Sequence, residues 1–197
     1  MFRKGTRMAR TSEIPDIVLL DRLTDVFRTH GYEGASLTRI SEATGLKRAS
    51  LYHRFPAGKS EMAEAVLAGA DDWLKDNALG PLQGPGSPAD RIRTMAAALN
   101  EFYGDGHHSC LLDAFSLGGE NQAIRDHVRA SMTAWIAALA EVVEEVGVTA
   151  DEALDRAQDA VARIQGTLVV SRATGDVRSF QRMLRALPET LLAPGGR

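Results

Sequence analysis

Apolar residues recur three and four positions apart along nearly the whole chain, and the rhythm breaks at glycine and proline. Ile14, Ile17, Val18, Leu20, Leu23, Val26 and Phe27 predict a first helix, with Ser12 as N-cap and Pro15 in the opening turn. Gly31 stops it at about His30, and Tyr32 is expected to fold back onto it. Leu37, Ile40 and Ala43 give the apolar side of a short second helix capped by Ser36. Gly45 stands where the chain must leave that helix, a position that favours positive φ. Leu46 follows as a buried anchor, and Leu51, Tyr52 and Phe55 continue the apolar side of a third helix over about 47–54. A fourth helix is expected from about Lys59 to Ala78, through Met62, Val66, Trp73 and Leu74.

The segment LGPLQGPGSP, residues 79–88, is dense in proline and glycine and predicts a loop between two halves. Beyond it the pattern stays helical: about 89–103, a short piece at 109–117 before Gly118 and Gly119, then 120–146, 150–173 and 177–192. Inward positions on the long 120–146 helix are Ile124, Val128, Met132, Trp135, Ile136, Leu139 and Val143. No strand pattern is evident. The fold class expected is all-α, in two parts: a three-helix unit at 12–58, a connecting helix at 59–78, a linker at 79–88 and a helical domain at 89–192.

The second and third helices form a helix-turn-helix pattern, and the exposed positions of the third carry Lys47, Arg48, Ser50, His53 and Arg54. These are cations and donors of the kind that read guanine edges or hold phosphates. Net charge is only −3, but it is unevenly spread. Residues 1–60 hold 11 Lys+Arg against 6 Asp+Glu, whereas residues 61–197 hold 12 against 20. A basic first third on an acidic remainder is what a chain needs when one end alone meets phosphates. Arg3, Lys4, Arg7 and Arg10 would extend that end as an arm.

The spacing G-L-x-x-A-S-L-Y-x-x-F-P-x-G-K, preceded by H-G-Y-E-G-A-S-L, resembles the DNA-binding domain of TetR/AcrR regulators over residues 12–65. The FPAGK turn, one residue longer than usual, is similar to the LmrA/YxaF-type branch. The resemblance implies a homodimeric transcriptional repressor that binds double-stranded DNA at a palindromic operator and is released by a small, apolar or aromatic effector. Carried over by position, Ser36, Thr38, Arg39, Lys47, Arg48, Ala49, Ser50, Tyr52, His53, Arg54 and Lys59 would form the DNA face, with Ala49 allowing close approach. Three positions depart from the family pattern, each adding charge: Arg39 where an acid often completes a capping box, Lys47 in place of a capping Ser or Thr, and Arg54 in place of a second His.

The family position of the regulatory site, and the clustering of aromatics with a few polar groups, point to Phe102, Tyr103, His107, Cys110, Phe115, Trp135 and Gln165 as pocket residues. The last two helices carry apolar residues on more than one stripe. They would pair two copies through Ala157, Val161, Ile164, Leu168, Phe180, Met183, Leu184 and Leu187. A competing reading is a redox- or metal-responsive regulator sensing through Cys110, His107 and His108, with Asp113 nearby. A zinc site needs a further ligand cluster, however, and His127 stands alone, so no metal or cofactor is expected. GKS at 58–60 imitates a phosphate-binding loop, but His53 occupies its first glycine and no strand precedes it. No nucleophile–base spacing marks an enzyme. One cysteine and no apolar run long enough to span a bilayer suit a cytoplasmic protein.

Overall fold

The computed structural model describes residues 14–116 and 121–194, and among these residues every regular element is helical. Helix α1 spans Asp16–Gly34, α2 Leu37–Thr44, α3 Arg48–Arg54 and α4 Lys59–Leu74. They are followed by α5 at Gly80–Gln83, α6 at Pro88–Phe102, α7 at Leu111–Ser116, α8 at Gln122–Glu144, α9 at Ala150–Thr174 and α10 at Arg178–Leu191. Ser12, the arm cations and Gly118–Gly119 lie outside the described residues.

Helix α1 buries Leu23, Val26 and Phe27 as expected, but Ile17 is 68% exposed and Leu19 is the buried residue of that turn instead. Gly31 adopts φ 64° and ψ 178° and breaks the helix; Tyr32 then folds back and stacks on Phe27 with ring centroids 6.4 Å apart. In α2, Ile40 is fully buried and Ser36 caps Arg39 N–H, as expected. Ala43 is exposed and Thr44 is buried in its place, because Thr44 Oγ1 serves the turn: it donates to Ile40 O and accepts Leu46 N–H. Gly45 closes α2 at φ 72°.

The expected linker at 79–88 is shorter than its composition implied. One turn of wider helix, Lys75–Leu79, joins α4 to α5, with Gly80 N–H reaching back five residues to Lys75 O. That widening lets the helix absorb Pro81, which lacks an N–H and would crowd a regular turn. Leu82 is then buried, and only Gly84–Ser87 separates α5 from α6. Arg91 of α6, itself 8% exposed, donates to Leu82 O at 2.8 Å and pairs with Glu145 at the end of α8.

Helices α6, α8, α9 and α10 surround a core that includes Ile92, Leu99, Trp135, Leu139, Ile164 and Phe180, all at 1% exposure or less. Two polar links bind α4 to α8. Asn121, the N-cap of α8, donates to Ser60 Oγ at 2.9 Å. Ser131 Oγ donates to Asp71 Oδ1 at 2.6 Å, and Asp71 Oδ2 lies 2.6 Å from His127 Nε2. Helix α4 is thus fastened to the large domain at both its first turn and its last. The described helices include none long and apolar enough to cross a membrane.

Candidate nucleic-acid interface and regulatory cavity

Leu51, fully buried, is the side chain that seats α3, and α3 itself contains no acidic residue. Around that anchor, Lys47, Arg48, Ala49, Tyr52 and His53 are exposed, as are Thr38 and Arg39 of the preceding helix; Ser36 and Ser50 are half-buried. Arg48 Nη2 donates to Thr38 Oγ1 at 2.8 Å, drawing the two helices' polar groups into one surface. Lys47 occupies the N-cap of α3 without a capping bond, so its ammonium is left on a long free stem. Arg39 sits in the first turn of α2, where a cation opposes the helix dipole; its Nη1 instead donates to Gly34 O at 3.3 Å.

Two of the expected cations turn back toward the protein. Arg54 donates to Asp16 Oδ1 at 3.2 Å and to Ile14 O at 2.8 Å, clamping the end of α3 to the start of α1. Lys59 donates to Tyr32 O at 3.0 Å, with its ammonium 4.3 Å from the Tyr32 ring centre and 3.9 Å from Glu33. Tyr52 is 45% exposed rather than part of an apolar side. Its ring lies against Gly58, where an added Cβ would stand 3.1 Å from Tyr52 Cε1 and where φ is 71°. The glycine of the FPAGK turn therefore does two things: it takes a left-handed backbone and leaves room for the tyrosine ring.

In the larger domain, Phe102, Tyr103, Cys110 and Trp135 converge with Ala70, Asp71, Trp73, Leu74, Leu111 and Leu112 around a cavity of about 20 Å³. Trp73 and Phe102 stack with centroids 3.9 Å apart. The Tyr103 hydroxyl is held well above its ordinary pKa of 10.0, first by burial and then by Cys110, with Gln165 within hydrogen-bonding reach. Trp135 Nε1 is a buried donor without a hydrogen-bond partner among the described residues. A site that size holds about one water, and the unpaired Trp135 N–H is a donor on its wall.

Three expected pocket residues, Phe115, His107 and Gln165, are not part of this lining. Phe115, fully buried, packs on Phe27 and Tyr32 at 5.1 and 6.2 Å and belongs to the seam between α1 and α7. His107 is exposed beyond the turn at Gly104–Gly106. His108 is exposed too, with its ring over Gly104, whereas Cys110 is 3% exposed. Among the described residues no three His, Cys, Asp or Glu side chains are placed to share a metal ion. The histidines and the thiol face different surroundings, which removes the geometry that a metal or redox sensor built on all three would need.

The expected pairing residues of α9 and α10 are also already used. Ala157, Val161, Ile164, Leu168, Phe180, Leu184 and Leu187 are at most 5% exposed within one chain, and only Met183 is half-buried. Beside them runs a surface groove of about 630 Å³ formed by the neighbouring faces of α9 and α10, among them Arg163, Gly166, Thr167, Met183 and Ala186. Sequence reasoning also passed over Arg28 and Asp71, whose importance depends on partners that no spacing reveals.

Residues 19–66 match the family model for bacterial regulatory proteins of the tetR family, and residues 88–186 match that for the LmrA/YxaF-like C-terminal domain of transcriptional regulators. The HTH-type transcriptional regulator LmrA of Bacillus subtilis is 20% identical over 182 residues, covering 88% of this chain and 94% of that one. The HTH-type transcriptional repressor KstR2 of Mycobacterium tuberculosis is 26% identical over 133 residues, or 64% and 66% of the two chains. A TetR transcriptional regulator from Legionella pneumophila has the same fold, with a TM-score of 0.79 at 20% identity over 91% of this chain and 98% of its own. TetR-family regulators generally bind DNA as dimers and respond to small-molecule effectors. The chain belongs to the TetR family of DNA-binding transcriptional regulators, with a regulatory domain of the LmrA/YxaF-like type.

Proposed function

We propose that a homodimer of this chain represses transcription from a palindromic operator and is released when a small apolar or aromatic molecule enters the regulatory domain. The observation that carries the DNA half is the exposed, acid-free surface of α3 with Arg48 tied to Thr38. Lys47, Arg48, Ala49 and His53 face the base edges, while Thr38, Arg39, Ser50 and Tyr52 hold phosphates. Arg54 and Lys59 brace this unit from behind, given the partners they already have. One recognition helix reads only a few base pairs, so two copies must span half-sites spaced by one or more helical turns of roughly 34–36 Å.

The second copy docks on the α9/α10 face that contains Arg163, Gly166, Thr167, Met183 and Ala186, which is where free surface remains after the domain has formed its own core. Such a dimer acts in the cytoplasm, beside its DNA. An effector that parts the walls around Tyr103 and Trp135 shifts α4, which its bonds to Asn121 and Ser131 couple to α8. By linkage, DNA weakens effector binding by the same factor that the effector weakens DNA binding. The test is fluorescence anisotropy on a labelled duplex from the region upstream of the gene. Wild type should bind and Arg48→Ala should lose at least roughly ten-fold in affinity, as for the loss of a bidentate base contact. Equal affinity of the two proteins would remove α3 from the interface.

A further inference from the structure

Between α1 and α4, on the outer side of the Trp73–Phe102 stack, lies a groove of about 380 Å³. Its walls include Leu20, Val66, Trp73, Phe102 and Leu111, and Arg28 is its half-buried cation. Gly69 lines it as well, and a Cβ added there would meet nothing within 4 Å, so the space is open at that wall.

Arg28 is the unusual member. Its guanidinium carbon stands 4.7 Å from the Phe102 ring centre, and its Nε is buried with no hydrogen-bond partner among the described residues. No ion pair holds it among those residues, although Asp25 is near enough to be felt. Burial lowers its pKa from the ordinary value, with Tyr103, Asp25 and Cys110 acting in the opposite direction. The other polar groups on the groove wall are Asp21 and Thr24, of which Asp21 is exposed to solvent. A desolvated cation without an anion is costly, and the planar fork of a guanidinium is matched best by a carboxylate.

We propose that this groove receives an aromatic carboxylate, its ring laid against Trp73 and Phe102 and its carboxylate on Arg28. The inference rests on the reading of the regulatory half as an effector domain and names the chemical class of that effector. The inner cavity shares Ala70, Trp73, Phe102 and Leu111 with the groove, so the stacked pair is the partition between them. Arg28 belongs to α1, and its own carbonyl accepts from Ser109 Oγ at 2.7 Å. A carboxylate there ties the first DNA-binding helix directly to rings on α4 and α6, which gives ligand occupancy a route to the recognition helices.

The test is calorimetric titration of the full chain with 2-naphthoate and 3-phenylpropanoate, each compared with its own primary amide. The acids should bind roughly ten-fold or more tightly than the amides, as a charge-assisted pair requires. Arg28→Met should erase that preference with amide binding unchanged, Arg28→Lys should keep part of it, and Gly69→Leu should block both by filling the groove. Circular dichroism and melting curves establish that each variant is folded. Equal affinity for acid and amide, an acid preference that survives Arg28→Met, or no heat from either acid at millimolar concentration overturns the inference. Operator binding is measured in parallel: intact DNA binding with no acid affinity sinks this inference alone, whereas a protein that takes up the acid yet binds no DNA sinks the regulator reading instead.

Discussion

Thr44→Val tests whether the turn before the recognition helix is held by a side-chain hydroxyl. Valine keeps the shape of Thr44, which is 2% exposed, but removes its Oγ1. That oxygen accepts Leu46 N–H at 3.3 Å and donates to Ile40 O at 2.7 Å, both in buried surroundings. Ile40 O loses one of two possible donors and remains satisfied by the helix. Leu46 N–H loses its acceptor in a site that water does not reach. An orphaned buried donor costs about 1–3 kcal/mol, partly offset by the methyl that replaces the hydroxyl, so a net loss of about 2 kcal/mol is expected. For a chain of this size that lowers Tm by about 4–8 °C. The assay is urea unfolding and thermal melting of wild type, Thr44→Val and Thr44→Ser at one protein concentration. Serine keeps the hydroxyl and should lose about half as much, from the missing methyl alone. If valine is as stable as threonine, the hydroxyl does not hold this turn and the account of it fails.

Gly69→Ala should raise stability by about 0.5–1 kcal/mol in the same melts, because this helical glycine has open space at its Cβ. Gly106→Ala should do the reverse by about 1–3 kcal/mol: its φ is 103° and the new Cβ would fall 2.9 Å from Phe180 Cδ1. Replacing Lys47 or Arg48 by alanine should reduce the slope of log K against log [salt] by about one unit for each phosphate that the cation neutralises, read by anisotropy across a salt series. An unchanged slope would show that the replaced cation touches no phosphate. The Asp176 carboxyl is held at about 2 rather than 3.8 by hydrogen bonds from the Arg178 side chain and backbone. A depressed acid is stabilised above its ordinary pKa and loses that support as pH falls from about 3.8 toward 2. Arg178→Gln should therefore raise the Asp176 midpoint in an NMR titration.

Helix order and the two-part division were readable because 3.6-residue periodicity runs through the long elements and glycines close α2 and α9. The errors share a cause, since periodicity marks an apolar face but not what covers it. Ile17 falls on the pattern of α1 yet is 68% exposed, whereas Leu19 two residues on is buried. Thr44 looked polar and is interior, as its hydroxyl is consumed locally. Pro81 read as a loop residue, but a widened turn absorbs it within a helix. The apolar residues expected to pair α9 and α10 with a second copy are mostly spent on their own core, while Leu154, Val169 and Val170 of α9, on which the sequence reading did not draw, stay exposed. On the nucleic-acid side, residue type alone could not separate Arg48, exposed and bonded to Thr38, from Arg54, bound to Asp16 and Ile14. Arg28 was invisible for the same reason: its interest is a missing partner.

The most direct test of the central claim is selection of duplexes from a random pool by the full-length protein, followed by sequencing of what is retained. The account predicts enrichment of a two-fold symmetric sequence with two half-sites a helical turn or more apart, and loss of that enrichment with Arg48→Ala. Retention of unrelated sequences, or of a single unpaired half-site, would contradict a dimeric regulator that reads DNA through α3.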